Sequence, residues 1–135
     1  MEADRRRKRP AARSAKGERK RAAATLKPRL RVELDDRHAL GPGKADLLES
    51  IARERSLAAA AKSLGMSYMR AWRLVGEMND LFARPLVELV PGARGGATLT
   101  PDGRRALALY REMEHAAARA AGPAWRKLRA LVERP

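Results

Sequence analysis

A mainly α-helical fold with a small β-hairpin is what this sequence predicts, on three observations. Apolar residues make up 44% of the 135-residue chain but aromatics only 4%, and much of the remainder is alanine, the strongest helix former and a weak strand former. Helical apolar spacing recurs from residue 44 towards the C-terminus. It is interrupted by two short apolar runs on either side of the turn-rich "PGARGG" at 91–96.

Residues 1–28 hold eleven Lys and Arg against three acids, +8 of the chain's net +14. Large apolar side chains are almost missing there, so burial cannot offset the entropy of ordering, and a disordered basic arm is expected. Such an arm either adds phosphate contacts or serves only as a solubilising tail. "RLRVEL" (29–34) alternates, with Leu30, Val32 and Leu34 on one face, and predicts a short half-buried strand. "GPG" at 41–43 breaks the chain, and Pro42 suits a helix start.

From Lys44, apolar residues at Leu47, Leu48, Ile51 and Ala52 predict an amphipathic helix ending near Arg55. Ser56 is placed to cap a second, short helix, "LAAAAKSL", which stops at Gly65. Ser67 caps a third. Its core stripe is Ala71, Val75, Met78 and Phe82, with Trp72 and Leu74 flanking and expected to pack. Arg70, Arg73, Glu77 and Asp80 form the opposite, exposed stripe. Pro85 ends this region. "LVELV" (86–90) and "ATL" (97–99) pair as a hairpin around the glycine-rich loop. Thr100 then caps a fourth helix with Pro101 at its first position. Gly122-Pro123 punctuates that helix, and a short final helix follows with Trp125, Leu128, Leu131 and Val132 on its apolar side.

Two short helices joined through "LGMS" satisfy the helix-turn-helix pattern, and a hairpin with a basic tip directly after them has the form of a wing. The expected architecture is a winged helix-turn-helix at 29–100, followed at 101–135 by a long C-terminal helix and a short last one, with the basic arm at 1–28. A surplus of +14 calls for a polyanionic partner. In the double-stranded DNA reading, the third helix enters the major groove by its N-terminus, whose free N–H groups and dipole suit a phosphate. Ser67 and Tyr68 bring hydroxyls there. Arg70 and Arg73 can each make two bonds to a guanine edge or pair with phosphate. Arg94, among glycines at the hairpin tip, can approach the sugar-phosphate edge. Other readings stay open: Ser67 as a cap alone, Tyr68 as a core aromatic, and Arg70 and Arg73 as a solvated face paired with Glu77.

Along the fourth helix, Ala106, Tyr110, Met113, Ala117 and Ala120 recur at spacings of four and three, a heptad seam. It either supports a homodimer or only completes the monomer core. An enzyme is not expected: the two histidines, His38 in a loop and His115 on the fourth helix, have no carboxylate pair, metal spacing or nucleophile–base motif beside them. Nor is a cofactor. The chain has no cysteine, which fits a reducing cytoplasm, and no apolar run near the ~20 residues that a membrane span needs. A DNA-binding protein at the nucleoid is the expected setting.

"AAKSLGMSYMRAW" (60–72), "EMN" (77–79), "PLVE" (85–88) and "GARGGATLTPDGR" (92–104) together resemble the N-terminal DNA-binding domain of ModE-type molybdate-responsive regulators. More distantly they resemble the LysR-type helix-turn-helix. The likeness spans about residues 29–120. It implies that the "GMSY…AW" helix is the recognition helix, that Ser67, Tyr68, Arg70 and Arg73 face DNA, that the glycine-rich loop is the wing, and that the helix after "LTP" contributes to a dimer. Regulators of this type continue into oxyanion-binding domains, for which this chain leaves no room, so no molybdate binding by that route is expected. Two further roles remain: an architectural DNA-binding protein with little sequence preference, and a winged helix used as a protein-interaction module.

Overall fold

The computed structural model describes residues 23–90 and 95–133. Most of the expected basic arm and the hairpin tip with Arg94 lie outside them. The chain divides into two compact units, Pro28–Ala116 and a second of Met1–Lys27 with Ala117–Pro135.

The first unit opens with a feature the sequence did not announce. Strand β1 (Val32–Leu34) pairs antiparallel with β2 (Arg37–Leu40) through a tight Asp35-Asp36 turn. Asp35 takes a left-handed φ of 55°, a conformation that Asp tolerates better than most residues. His38, expected in a loop, is therefore a strand residue. The half-buried face expected for 29–34 is also corrected. Leu30 packs against the core, but Val32 and Leu34 are 37% and 50% exposed. A two-stranded ribbon has a buried side only where another layer covers it, and here the core takes only the end of β2, at Ala39 and Leu40.

Three helices follow: α1 (Pro42–Glu54), α2 (Leu57–Ser63) and α3 (Tyr68–Leu81). Pro42 occupies the first turn of α1, and Arg55 closes the helix in the left-handed region. Leu47, Leu48 and Ile51 of α1 meet Leu57 and Ala60 of α2 and Ala71, Val75 and Met78 of α3 in one core. The Ser56 side chain accepts from Ala59 N–H, as expected of a cap. The stop of α2 is a Schellman turn: Met66 N–H bonds Ala61 O at 3.0 Å and Gly65 N–H bonds Lys62 O at 3.1 Å, with Gly65 at φ 70°. A hydroxyl chain from buried Ser50 to exposed Ser63 links α1 to α2. Ser63 Oγ donates to Ala60 O at 2.9 Å, so Ser50 Oγ donates to Ser63 Oγ, 2.7 Å away.

Strands β3 (Val87–Leu89) and β4 (Ala97–Leu99) form the expected hairpin, with Val87 opposite Leu99 and Leu89 opposite Ala97. The α1–α2 turn adds a bridge to its edge: Leu57 N–H bonds Gly95 O at 2.7 Å and Ala97 N–H bonds Arg55 O at 3.2 Å. The hairpin is thereby fixed to the helix-turn-helix on its β4 side.

Helix α4 runs from Pro101 to Val132. One expectation about 101–135 is corrected here. The expected break at Gly122-Pro123 does not occur, so there is no separate final helix. An internal proline removes one backbone hydrogen bond and costs ~3 kcal/mol, but alanines at 116–118, 120, 121 and 124 favour helix on both sides of it. In the second unit, Glu133 accepts from Arg129 Nε at 2.9 Å and from the backbone N–H of Ala24 at 2.8 Å. Leu128, Leu131 and Val132 are exposed there.

In the first unit, α4 joins the core through Tyr110. This side chain is 1% exposed, and its hydroxyl donates to Leu30 O at 2.8 Å. Tyr110 is therefore a core residue of its own chain and leaves the heptad seam without its central aromatic. The physical reason is on the same helix: Arg111 bonds Asp46 at 2.9 Å and Glu49 at 2.7 Å on α1, which turns the Tyr110 edge inward. Burial opposes the Arg111 charge, but hydrogen bonds to Asp46, Glu114 and Glu49 outweigh it and hold the guanidinium more firmly protonated than usual.

Candidate nucleic-acid interface

Helix α3 divides by face. Ala71, Val75 and Met78 are fully buried or nearly so, with Leu74 and Phe82 packed against them. The helix is capped by Ser67, whose Oγ accepts from Arg70 N–H at 3.1 Å, and the first turn is exposed. Tyr68, Met69, Arg70 and Arg73 all lie on the solvent side, so the core reading of Tyr68 is excluded: its side chain is 44% exposed.

The pairing of Arg70 and Arg73 with Glu77 is not what the structure shows. Glu77 faces Lys44, with Nζ 3.1 Å from Oε1. Lys44 sits in the first turn of α1, 3% exposed, and also donates to the His38 carbonyl. One buried ammonium thus joins β2, α1 and α3, and it occupies the acid that would otherwise neutralise the exposed arginines. Among the described residues, neither Arg70 nor Arg73 has a carboxylate partner. Sequence reading missed Lys44 because a lysine at a helix start reads as surface; its only signal was its place three residues before Leu47, on the apolar face.

His38 lies beside this cation. Its Nε2 is buried without a hydrogen-bond partner. Burial, then the charges of Lys44 and Arg31, lower its pKa against smaller opposing effects from the Leu40 backbone and Glu33. The folded state therefore favours the neutral ring. Stability from this site is present above the unfolded value of about 6.5 and is lost as pH falls through the lower folded value. Urea unfolding midpoints should drop between pH 7.5 and pH 5.5, and His38→Gln should flatten that drop. An unchanged slope in the variant would place the titration elsewhere.

Trp72 corrects another expectation. It flanks the core stripe in sequence, yet it is 50% exposed. At 100° per residue, position 72 falls at the border of the stripe, on its outward side.

Asn79 stands at the end of "EMN", where the sequence assigns it no role of its own, and the structure supplies one. Its Oδ1 accepts from Leu86 N–H at 2.8 Å and Val87 N–H at 3.2 Å, and its Nδ2 donates to Val87 O at 3.0 Å. One amide thus fastens the hairpin's first strand to α3. The available signal was an amide one residue after core Met78 and shortly before Pro85. On the other side of the same segment, Thr100 N–H bonds Leu86 O at 3.0 Å and Thr100 Oγ1 donates to Pro85 O at 2.7 Å. Arg84 and Asp102 close the junction with two bonds of 2.8 and 3.2 Å.

Three comparisons bear on this arrangement. Residues 44–104 match the family model of the "Bacterial regulatory helix-turn-helix protein, lysR family". These residues are thus similar to the helix-turn-helix domains of LysR-type regulators. Over 85 residues the chain is 42% identical to the "Molybdenum-pterin-binding protein MopA" of Rhodobacter capsulatus, a match covering 62% of this chain and 32% of that protein. It is 39% identical over 83 residues to the "DNA-binding transcriptional dual regulator ModE" of Escherichia coli (strain K12), covering 60% of this chain and 32% of the relative. The match thus spans about a third of the length of these relatives, as the ModE-type resemblance implies for an N-terminal helix-turn-helix. In fold, the chain superposes on the protein in "Crystal structure of CbnR_DBD-DNA complex" with a TM-score of 0.53 at 22% identity, covering 64% of this chain and 95% of that one.

Proposed function

We propose that this protein is a sequence-specific, ModE-like DNA-binding transcriptional regulator acting as a homodimer, with α3 in the major groove and the β3–β4 hairpin on the backbone as a wing. The observation that carries the proposal is the exposed pair Arg70 and Arg73 on a capped helix, with the neighbouring acid Glu77 held by Lys44. Free guanidiniums at this place suit guanine O6 and N7 or phosphate oxygens. The net charge of +14 supplies the sequence-independent attraction. The relative from Escherichia coli is named as a DNA-binding transcriptional regulator, which supports the reading. The role is one of binding, without a catalytic step, and the proposal does not extend to molybdenum handling.

Ser67 and Tyr68 are assigned to phosphate or base contacts at the head of α3, and Arg94 to the wing. For the dimer, Met113 and Ala117 remain the assigned seam, widened by exposed Leu109, whereas Ala106 is partly buried against its own core. Tyr110 is withdrawn from it because its own core has used it.

Enrichment of bound duplexes from a random DNA library tests this directly. A palindromic site with half-sites about one helical turn apart is expected. On that site Arg70→Ala and Arg73→Ala should each cost ~1–3 kcal/mol per base pair no longer read, at fixed salt. Undiminished affinity in both variants would reject α3 as the reading helix. Binding with a steep salt dependence and no enriched sequence would instead establish an architectural role.

A further inference from the structure

We infer that Trp72, with Met69 beside it, reads thymine through its C5-methyl group, which makes this pair specificity-determining. The inference rests on the DNA reading above and deepens it. Tyr68, Met69 and Trp72 are 44%, 63% and 50% exposed. They form an apolar patch on a helix whose core needs are met by Ala71, Val75 and Met78. Met69 and Trp72 are three residues apart and Gly76 is four further on, so the three share one side of α3. A Cβ at Gly76 would meet nothing within 4 Å, so the indole has open space beside it along the helix. Contiguous exposed apolar surface of this kind marks a contact site.

Its surroundings specify the occupant. Arg70 and Arg73 stand on the same exposed half of the helix without carboxylate partners among the described residues, and the chain carries +14. A partner must therefore offer dense negative charge together with a small apolar group at its surface. Duplex DNA does so in the major groove, where the thymine methyl is the apolar group that base edges present. The arginines then report guanine or phosphate, while the indole and thioether report thymine. The two chemistries alternate around one helix, which gives a mixed half-site and not a G-rich one.

The test uses the full chain and a duplex selected from a random library. Each thymine in the selected site is replaced in turn by uracil, which removes the methyl and leaves every hydrogen bond. Wild type should lose affinity about three- to fivefold at one or two positions per half-site, as burial of one methyl implies. Trp72→Ala should bind the thymine and uracil duplexes equally at those positions, and Trp72→Phe should keep part of the difference. Unchanged circular dichroism and melting temperature in the variants show that the fold is intact, as expected for a surface side chain. If wild type tolerates uracil everywhere, or if Trp72→Ala weakens both duplexes and leaves their difference intact, the inference is overturned while the DNA reading stands. If no duplex is enriched, the DNA reading fails and takes this inference with it.

Discussion

Replacing Gly103 by alanine is expected to destabilise the first unit, with an overpacking cost of ~3 kcal/mol, the upper part of the usual range, before any gain in helix propensity. A Cβ there would fall inside van der Waals contact of the Leu86 carbonyl oxygen and 3.0 Å from its carbon. These are backbone atoms, and they cannot rotate aside as a side chain would. The same carbonyl accepts from Thr100 N–H at 3.0 Å, so moving it also breaks the bond that joins the hairpin to α4. Alanine's better helix propensity returns at most ~1 kcal/mol, too little to change the sign. At ~4–8 °C per kcal/mol for a domain of this size, a net loss of 2–3 kcal/mol lowers the melting point by roughly 8–24 °C. Gly76→Ala provides the contrast. It lies inside α3 with open space around the missing Cβ, so the propensity gain stands alone and the melting point should rise. If Gly103→Ala melts with wild type, the close approach of α4 to Leu86 is wrong.

The two glycines show why some features were legible in the sequence and others were not. Caps, breaks and stripes are local. Ser56, Ser67, Thr100, Gly65 and the Ala71–Val75–Met78 row announce themselves because their effect is exerted within one turn of chain. Gly103 and Asn79 act on Leu86 and Val87, and the sequence gives no measure of a distance closed by tertiary packing. The β1–β2 turn was missed for a related reason. Asp-Asp is a weaker hairpin signal than Asn-Gly or Asp-Gly, and one half of the ribbon stays outside the core. Pro123 misled in the opposite direction, since a strong local breaker was outvoted by the alanines around it. At the candidate site, helical spacing points to Arg70 and Arg73, and the cap and first turn to Ser67 and Tyr68; all four lie on the exposed side. Trp72 was placed wrongly because a 100° step per residue puts it near the border of the buried stripe, which spacing alone does not resolve. Lys44 offered only its place on the apolar face of α1, which cannot show that it removes Glu77 from the arginines, a contact between two helices.

Asn79→Ala is the second substitution with a large expected effect, and it separates stability from presentation of the wing. Removing the amide strands the N–H groups of Leu86 and Val87 and the Val87 carbonyl, all partly buried. At ~1–3 kcal/mol for each orphaned group that water cannot reach, a loss of about 2–4 kcal/mol is expected by urea unfolding. Asn79→Asp should lose less at neutral pH. Its carboxylate still accepts both N–H bonds and only the donor to Val87 O is gone, with an oxygen left facing an oxygen. Because β4 is tied separately to the α1–α2 turn through Leu57 and Ala97, the alanine variant should keep its helix-turn-helix at low temperature while β3 loosens from α3. On the proposed DNA reading, such a protein still reads bases through Arg70 and Arg73 but no longer presses its wing on the backbone. Its sequence preference should then survive, while the slope of log affinity against log salt falls by about one for each phosphate the wing ceases to neutralise. Full retention of that slope in folded Asn79→Ala would show that the hairpin reaches the backbone without the clamp, or does not reach it at all. A variant cut back at the hairpin tip decides between those two outcomes, because only a hairpin that touches the backbone can lose slope when it is shortened.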